Sequence, residues 1–407
     1  MAIRFARRME WVKASEIREL LKVTQRPSVI SLGGGLPAPE SFPVAQLQEV
    51  AHALLAAHGP QSLQYSTTEG DPALRAHIAA RMNARLGTAV AADDVLVVTG
   101  SQQGLDLTGR MLLDEGDALL CESPTYLGAI QAFACYGPRF VEVPTDDDGM
   151  LPDALDRRLA AHPNAKFVYV IPDVQNPSGR TWSLERRHAF MEVVARYDVA
   201  VLEDSPYSEF RFDGGPLPSL KSLDRHGQVT FLGTFSKVFG PGLRVGWVAA
   251  PPAMRDRYTL LKQGADLHTS TFNQMLIAAF IDRFDLDAHI GRVRELYRRR
   301  RDAMLAALDA EMPDGVHYTR PLGGLFVWVE LPEGLNTREL LVRCLERDVA
   351  FVPGGSFFPN GGHDNTMRLN FSNASEERIR TAVGRIAEIV RAAIAELEPA
   401  ETAVASA

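Results

Sequence analysis

Lysine is scarce in this chain, and one of the six stands apart. Lys13, Lys22, Lys166, Lys221 and Lys262 have charged or polar neighbours and are expected at the surface. Lys237 lies in Gly233-Thr234-Phe235-Ser236-Lys237-Val238-Phe239-Gly240-Pro241-Gly242-Leu243-Arg244, just past an apolar strand candidate. An amine there, among hydroxyls and a glycine-rich turn, can condense with an aldehyde. Burial would lower its pKa and make it a nucleophile and a base. An ordinary loop lysine is an equally good reading of this segment taken alone.

Other strand ends carry groups that would complete such a site. Asp204, in Glu203-Asp204-Ser205-Pro206-Tyr207, can face a pyridine nitrogen and keep it protonated, or simply cap a turn. Asn176, in Gln175-Asn176-Pro177-Ser178-Gly179, and the Tyr207 hydroxyl can donate to a phenolic oxygen, although Asn-Pro-Ser-Gly is also a turn signal. Gly100-Ser101-Gln102 opens a helix after a strand, with Ser101 as the expected N-cap. Free N–H groups and a positive dipole end there suit a phosphate. Thr234, Ser236 and Arg244 can close the phosphate cup. Tyr126, in Ser123-Pro124-Thr125-Tyr126, can lie on a pyridine ring. Each signal alone is weak. Together they describe a cradle for pyridoxal 5′-phosphate (PLP) on Lys237.

The elements that must position these groups are legible as alternation. Apolar runs at 95–99, 118–121, 167–171, 199–202 and 229–232 read as buried strands, and a helix is expected from Gln102 to Leu113. Such alternation predicts an α/β fold with a mostly parallel sheet covered on both faces, and ligands at the strands' carboxyl ends. Long helices follow 263. Strands are then expected at 323–331 and 367–371, with helices at 337–347 and from Asn373-Ala374-Ser375 onward. The boundaries predicted are a large domain at 46–300 and a smaller α+β domain from 1–45 and 301–407.

Composition narrows the field. With 46% hydrophobic residues and a net charge of −8, nothing points to a nucleic-acid partner. Arg298, Arg299, Arg300 and Arg301 read as the wet face of an amphipathic helix. Cys121, Cys135 and Cys344 have no metal-like spacing; Cys121 and Cys344 read as core thiols. No apolar stretch of about 18 residues predicts a membrane span. A reducing, cytoplasmic setting is expected.

The residues from Ser101 to Arg244 carry a resemblance. Their order, the Asp204–Lys237 spacing, Arg244 seven positions after the lysine, and Asn176-Pro177 resemble fold-type-I, class I/II PLP-dependent aminotransferases over nearly the whole chain. The resemblance implies the PLP-dependent transferase fold type I. It also implies that Arg368, in Met367-Arg368-Leu369-Asn370, grips the substrate α-carboxylate together with Asn176. Four stretches are similar to the 2-aminoadipate and kynurenine (aromatic) subgroup: Arg18-Glu19-Leu20, Gly33-Gly34-Gly35-Leu36-Pro37, Leu63-Gln64-Tyr65-Ser66 and Gly264-Ala265-Asp266-Leu267-His268. That similarity places Arg18 and Gly35 at the substrate and sends Tyr65 into a partner subunit's site, hence a homodimer with shared sites.

The function so implied is ping-pong transamination between 2-oxoglutarate and an amino acid of 2-aminoadipate, aromatic/kynurenine or branched-chain type. The catalytic set would be Lys237, Asp204 and Tyr207, with no metal. Alternatives are a β-lyase or racemase on the same fold, or an aminotransferase-like sensor of a transcription regulator. The sensor is disfavoured by the absence of a helix-turn-helix pattern before Ile30. Two departures bear on substrate: Asp173, an acid beside Gln175-Asn176, and Gly33, where relatives carry a larger residue.

Overall fold

The computed structural model describes residues 3–12, 26 and 28–404. A short strand, Ile30–Ser31 (β1), precedes the eight strands of the central sheet. These are Val95–Val98 (β2), Ala118–Ser123 (β3), Arg139–Asp146 (β4), Gly149–Met150 (β5), Ala165–Val170 (β6), Ala200–Asp204 (β7), Val229–Thr234 (β8) and Gly246–Ala249 (β9). Their order is β2-β9-β8-β7-β6-β3-β4-β5. The run β8-β7-β6-β3-β4 is parallel. The expected parallel sheet is therefore present, with β9 antiparallel to both neighbours. The sequence reading did not separate β9 from the glycine-rich turn before it.

These strands are continuously apolar because both faces are covered. Leu119, Cys121, Phe167, Tyr169 and Leu202 join one core with Leu105 and Tyr258. The alternate residues Leu120, Val168, Val170 and Val201 join another with Leu155 and Phe190. Each fully buried side chain of this kind contributes about 1.5–3 kcal/mol. Cys121 and Cys344 are buried, as expected.

A second layer comprises His317–Tyr318 (β10), Phe326–Glu330 (β11), Val349–Ala350 (β12), Val352–Pro353 (β13) and Thr366–Asn370 (β14). The antiparallel order is β10-β11-β14-β13, while β1 pairs in parallel with β12. Strand β1 thereby ties the N-terminal region to the C-terminal layer. The helix Leu286–Glu311 packs against the final helix, Glu376–Val404, and Ser375 Oγ accepts the Arg378 N–H at the start of that helix.

Three expectations need correction. The Ser101–Leu112 helix is capped by Gly100, in a positive-φ conformation (φ 74°, ψ 159°), and Ser101 is its first helical residue. The arginine run is not one wet face. Arg298 is half-buried and Arg299 exposed, but Arg300 and Arg301 are buried. Arg300 donates to the Ser372 carbonyl and pairs with Glu40; Arg301 pairs with Asp213. Four consecutive residues sweep about 300° around a helix, so they cannot share a side. Lys262, expected at the surface, is fully buried and held by Asp266 at 2.7 Å and Gln103 at 3.0 Å.

Gly246, on β9, has backbone packed where a side chain would begin. An added Cβ would lie 2.8 Å from both the Gly233 carbonyl oxygen and Ser101 N, and 2.9 Å from Gly100 C. Backbone cannot swing aside, so Gly246→Ala should cost about 1–3 kcal/mol through overpacking. Urea denaturation checks this; an unchanged midpoint would contradict the constraint.

Candidate functional site

The carboxyl ends of β2, β3, β6, β7 and β8 lie along one edge of the sheet, and their loops enclose a cavity. Ser101, Gln102, Tyr126, Asn176, Asp204, Tyr207, Thr234, Ser236, Lys237 and Arg244 all line it. The structure therefore brings together residues from five chain segments that the sequence pointed to separately.

At one end the groups suit a phosphate. The helix N-terminus at Ser101 offers N–H groups without intrahelical acceptors. Gly100 lets Arg244 come close: a Cβ at residue 100 would sit 2.4 Å from Arg244 Nη2. Arg244, itself in the left-handed region (φ 51°), donates to Ser236 Oγ at 3.4 Å, and Thr234 Oγ1 donates to Ser236 Oγ at 2.9 Å. Gln102 directs its side-chain amide to the Gly128 carbonyl.

At the other end lies Asp204. Its Oδ2 accepts from the Tyr169 hydroxyl at 2.9 Å. Its Oδ1 is buried and has no partner among the described residues. Burial pushes the carboxyl pKa up to about 7 against the opposing Tyr169 hydrogen bond. A cationic N–H donor is what this oxygen lacks, and a protonated pyridine nitrogen is such a donor. Together with the anion cup and an amine, this makes the cavity a chemical fit for pyridoxal 5′-phosphate.

Lys237 Nζ donates to the Gly35 carbonyl at 2.9 Å and lies 6.0 Å from the Tyr207 ring centroid. Burial lowers its pKa to about 8, helped by the charges of Arg368 and Arg244. Tyr207 is buried, which raises its pKa, while a hydrogen bond with Asn176 opposes the rise. Tyr126 is also shifted upward by burial.

Arg368 is buried beside this cavity. Its Nη1 donates to Asn176 Oδ1 and its Nη2 to the Gly33 carbonyl, each at 2.8 Å. Its guanidinium lies 4.1 Å from the Phe326 ring centroid and 5.0 Å from that of Phe357. Gly35 is packed tightly, since a Cβ would meet the Phe326 ring at 3.3 Å. Tyr65 is not in this cavity. It is 78% exposed and edge-on to His268 on another face. Arg18 lies outside the described residues. Asp173 turns away from the cavity to pair with the buried Arg187 at 2.7 Å, so it brings no negative charge to Asn176.

Sequence reasoning missed three groups. Tyr169 read only as part of an apolar strand, although a buried tyrosine needs a partner for its hydroxyl. Phe326, the ring under Arg368, carried no signal beyond strand propensity. Glu122 also escaped notice: it is fully buried, its pKa is raised by burial to about 7, and it accepts from Ile171 N and Trp182 Nε1 at 3.0 Å. Its neighbour Gln175 donates to the Pro124 carbonyl at 2.7 Å, bracing the loop that carries Asn176.

Comparison with known proteins agrees with this geometry. The family described as aminotransferase class I and II matches residues 27–386. An aromatic-amino-acid aminotransferase of Thermococcus litoralis is 45% identical over 95% of this chain and 94% of its own length. A 2-aminoadipate transaminase of Thermus thermophilus is 46% identical over 94% of this chain and 96% of its own. Among solved structures, a multiple substrate aminotransferase from Thermococcus profundus superposes with a TM-score of 0.92 at 44% identity, covering 96% of this chain and 98% of its own.

The Asp204 environment generates a test on the cofactor-free protein. The folded carboxyl ionises near 7, against 3.8 in an unperturbed chain. The folded state thus keeps a proton that the unfolded chain has lost, and this group's stabilising contribution falls as pH rises through that window. In Asp204→Asn the loss is removed. The variant's denaturation midpoint should gain on wild type from the acid end of the window to the neutral end; parallel curves would refute the assignment.

Proposed function

This chain belongs to the class I and II aminotransferase family, and from that premise we propose that it transfers an amino group from an L-amino acid of 2-aminoadipate, aromatic/kynurenine or branched-chain type to 2-oxoglutarate in two half-reactions on one site. It is a PLP-dependent transaminase. The observation that carries the site assignment is the meeting in one cavity of a half-buried amine, Lys237, and an Asp204 Oδ1 without a partner among the described residues.

In this reading Lys237 would hold the cofactor aldehyde and Asp204 its pyridine nitrogen, while Asn176 and Tyr207 would donate to its phenolic oxygen. Tyr126 would pack against the ring. Gly100, Ser101, Gln102, Thr234, Ser236 and Arg244 would hold the phosphate. When bound, the cofactor supplies an electron-withdrawing ring that weakens the substrate's Cα–H bond. Arg368 and Asn176 orient the substrate through its α-carboxylate, where a planar guanidinium can bind both oxygens. Lys237 Nζ, shifted toward its neutral form by burial, accepts the Cα proton. Phe326 and Phe357 shield Arg368 from water and so strengthen its charge interactions.

The domain boundaries we propose are 46–300 for the cofactor-binding domain and 1–45 with 301–407 for the smaller one, supported by the β1–β12 pairing. The exposure of Tyr65 supports its reaching into a second copy's site, hence a homodimer. Gly35, whose carbonyl meets Lys237, supports a substrate pocket beneath the N-terminal segment. Arg18 would sit over that pocket, pairing with acidic side chains and moving aside for apolar ones.

The direct test adds 2-aminoadipate, glutamate, kynurenine, phenylalanine and leucine singly to the PLP-loaded protein and follows its visible absorbance. Bleaching reversed by 2-oxoglutarate is the expected result, and the ranking identifies the donor; steady turnover without an oxo acid would instead indicate a lyase. Lys237→Ala should lower the rate by roughly a thousandfold. Arg18→Ala should impair 2-aminoadipate and 2-oxoglutarate far more than leucine or phenylalanine, and equal losses would remove Arg18 from substrate selection.

A further inference from the structure

Behind the cofactor cavity lies a second void that the reaction above does not use. Its volume is about 290 Å³, and it shares two walls with the cofactor cavity, Pro206 and Thr234. Phe231, Phe235, Trp247 and Ile290 make its lining largely apolar. Ser205 also lines it, and Ser205 Oγ is buried with no partner among the described residues.

A smaller void of about 90 Å³ adjoins it, with Arg85, Leu86, Ser208 and Glu209 lining both. This second chamber is cationic, through Arg85, Arg211 and Arg294. Its two carboxylates are already engaged: Asp173 pairs with Arg187 at 2.7 Å and Glu209 with Arg81 at 2.5 Å. Arg85 pairs with Asp287, and Arg294 donates to the Glu209 carbonyl. Arg211 donates Nε to the Asp213 carbonyl, but its Nη1 is buried without a partner among the described residues. Burial lowers the Arg211 pKa more than nearby Asp173 restores it.

We propose that the two chambers form one binding site for a small carboxylic acid with an apolar body, its carboxylate on Arg211 and its body in the larger chamber. A buried guanidinium nitrogen without an acceptor is answered by a charge-assisted hydrogen bond from a carboxylate. An apolar void of about 150 Å³ admits benzene, so the larger chamber has room for a medium-length chain or an aromatic ring. The shared Pro206–Thr234 wall separates this ligand from the catalytic groups Asp204 and Lys237. Occupancy therefore acts on turnover through that wall and does not compete for Arg368.

The test uses octanoate as probe and octanol as the uncharged control on the PLP-loaded protein, by calorimetry with 2-oxoglutarate at saturation. Octanoate should still bind, and more tightly than octanol. Arg211→Met should weaken it about tenfold or more. Ile290→Trp, which fills the larger chamber, should abolish binding; if that variant does not fold, Arg211→Met decides alone. In turnover assays octanoate should change kcat without raising KM for the amino donor. Four results would each overturn the proposal: no binding up to ~1 mM, displacement by 2-oxoglutarate, indifference to Arg211→Met, or purely competitive inhibition. The binding arm does not need the transamination reading, so Arg211-dependent binding by a protein that fails to transaminate would sink that reading and leave this one standing.

Discussion

Asp204 sits fully buried at the end of β7, one oxygen held by Tyr169 and the other without a partner among the described residues. Taking a carboxylate out of water costs several kcal/mol unless a counter-charge or hydrogen bonds replace the hydration. The protein leaves that compensation incomplete, and the carboxyl pKa rises to about 7 as a result. The opposite shift occurs at Lys237, where burial beside two arginines lowers the amine to about 8. One cavity thus holds a carboxyl and an amine that burial shifts toward their neutral forms, and the surrounding structure keeps them there.

Keeping them there requires backbone that can approach closely without side chains. Gly100 opens the helix in a conformation that other residues resist, and its missing Cβ is the space into which Arg244 reaches. Gly246, paired with Thr234 across β8 and β9, lies close to the Gly233 carbonyl and to Ser101 N, bringing the end of β8 against the helix N-terminus. The helix N-terminus at Ser101, Arg244 and Lys237 thus share one edge of the sheet. That arrangement suits chemistry needing groups held to a fraction of an ångström.

Buried arginines do comparable work between the two layers. Arg368 on β14 reaches Asn176 beyond β6 and the Gly33 carbonyl after β1. Arg300 joins the long helix to Ser372 and Glu40, and Arg187 removes the charge of Asp173 from the site. Arg368 and Arg300 direct their donors to oxygens from segments far apart in the chain, whereas Arg187 acts within the larger layer, 14 positions from Asp173. The price is a set of buried charges whose removal one partner at a time would be strongly destabilising.

By itself, the sequence determined the alternating strands and helices, the parallel sheet, and the identity of the groups at its carboxyl edge. These are local matters: a buried strand must be apolar on both faces, and the turn after it carries whatever chemistry the edge supports. Lys237, Asp204, Asn176 and Ser101 were legible because each follows such a run. The tertiary structure alone decided which charges are buried and what meets them. Lys262 and Arg300 stand among polar neighbours and look solvated, yet both are enclosed. Tyr169 looks like core until Asp204 is seen 35 positions away, and Arg368 finds Asn176 across 192 residues. Local pattern reports which faces avoid water. The partner of a buried charge is set by chain crossings that no local pattern encodes, because that energy depends on distance in space and not on distance along the chain.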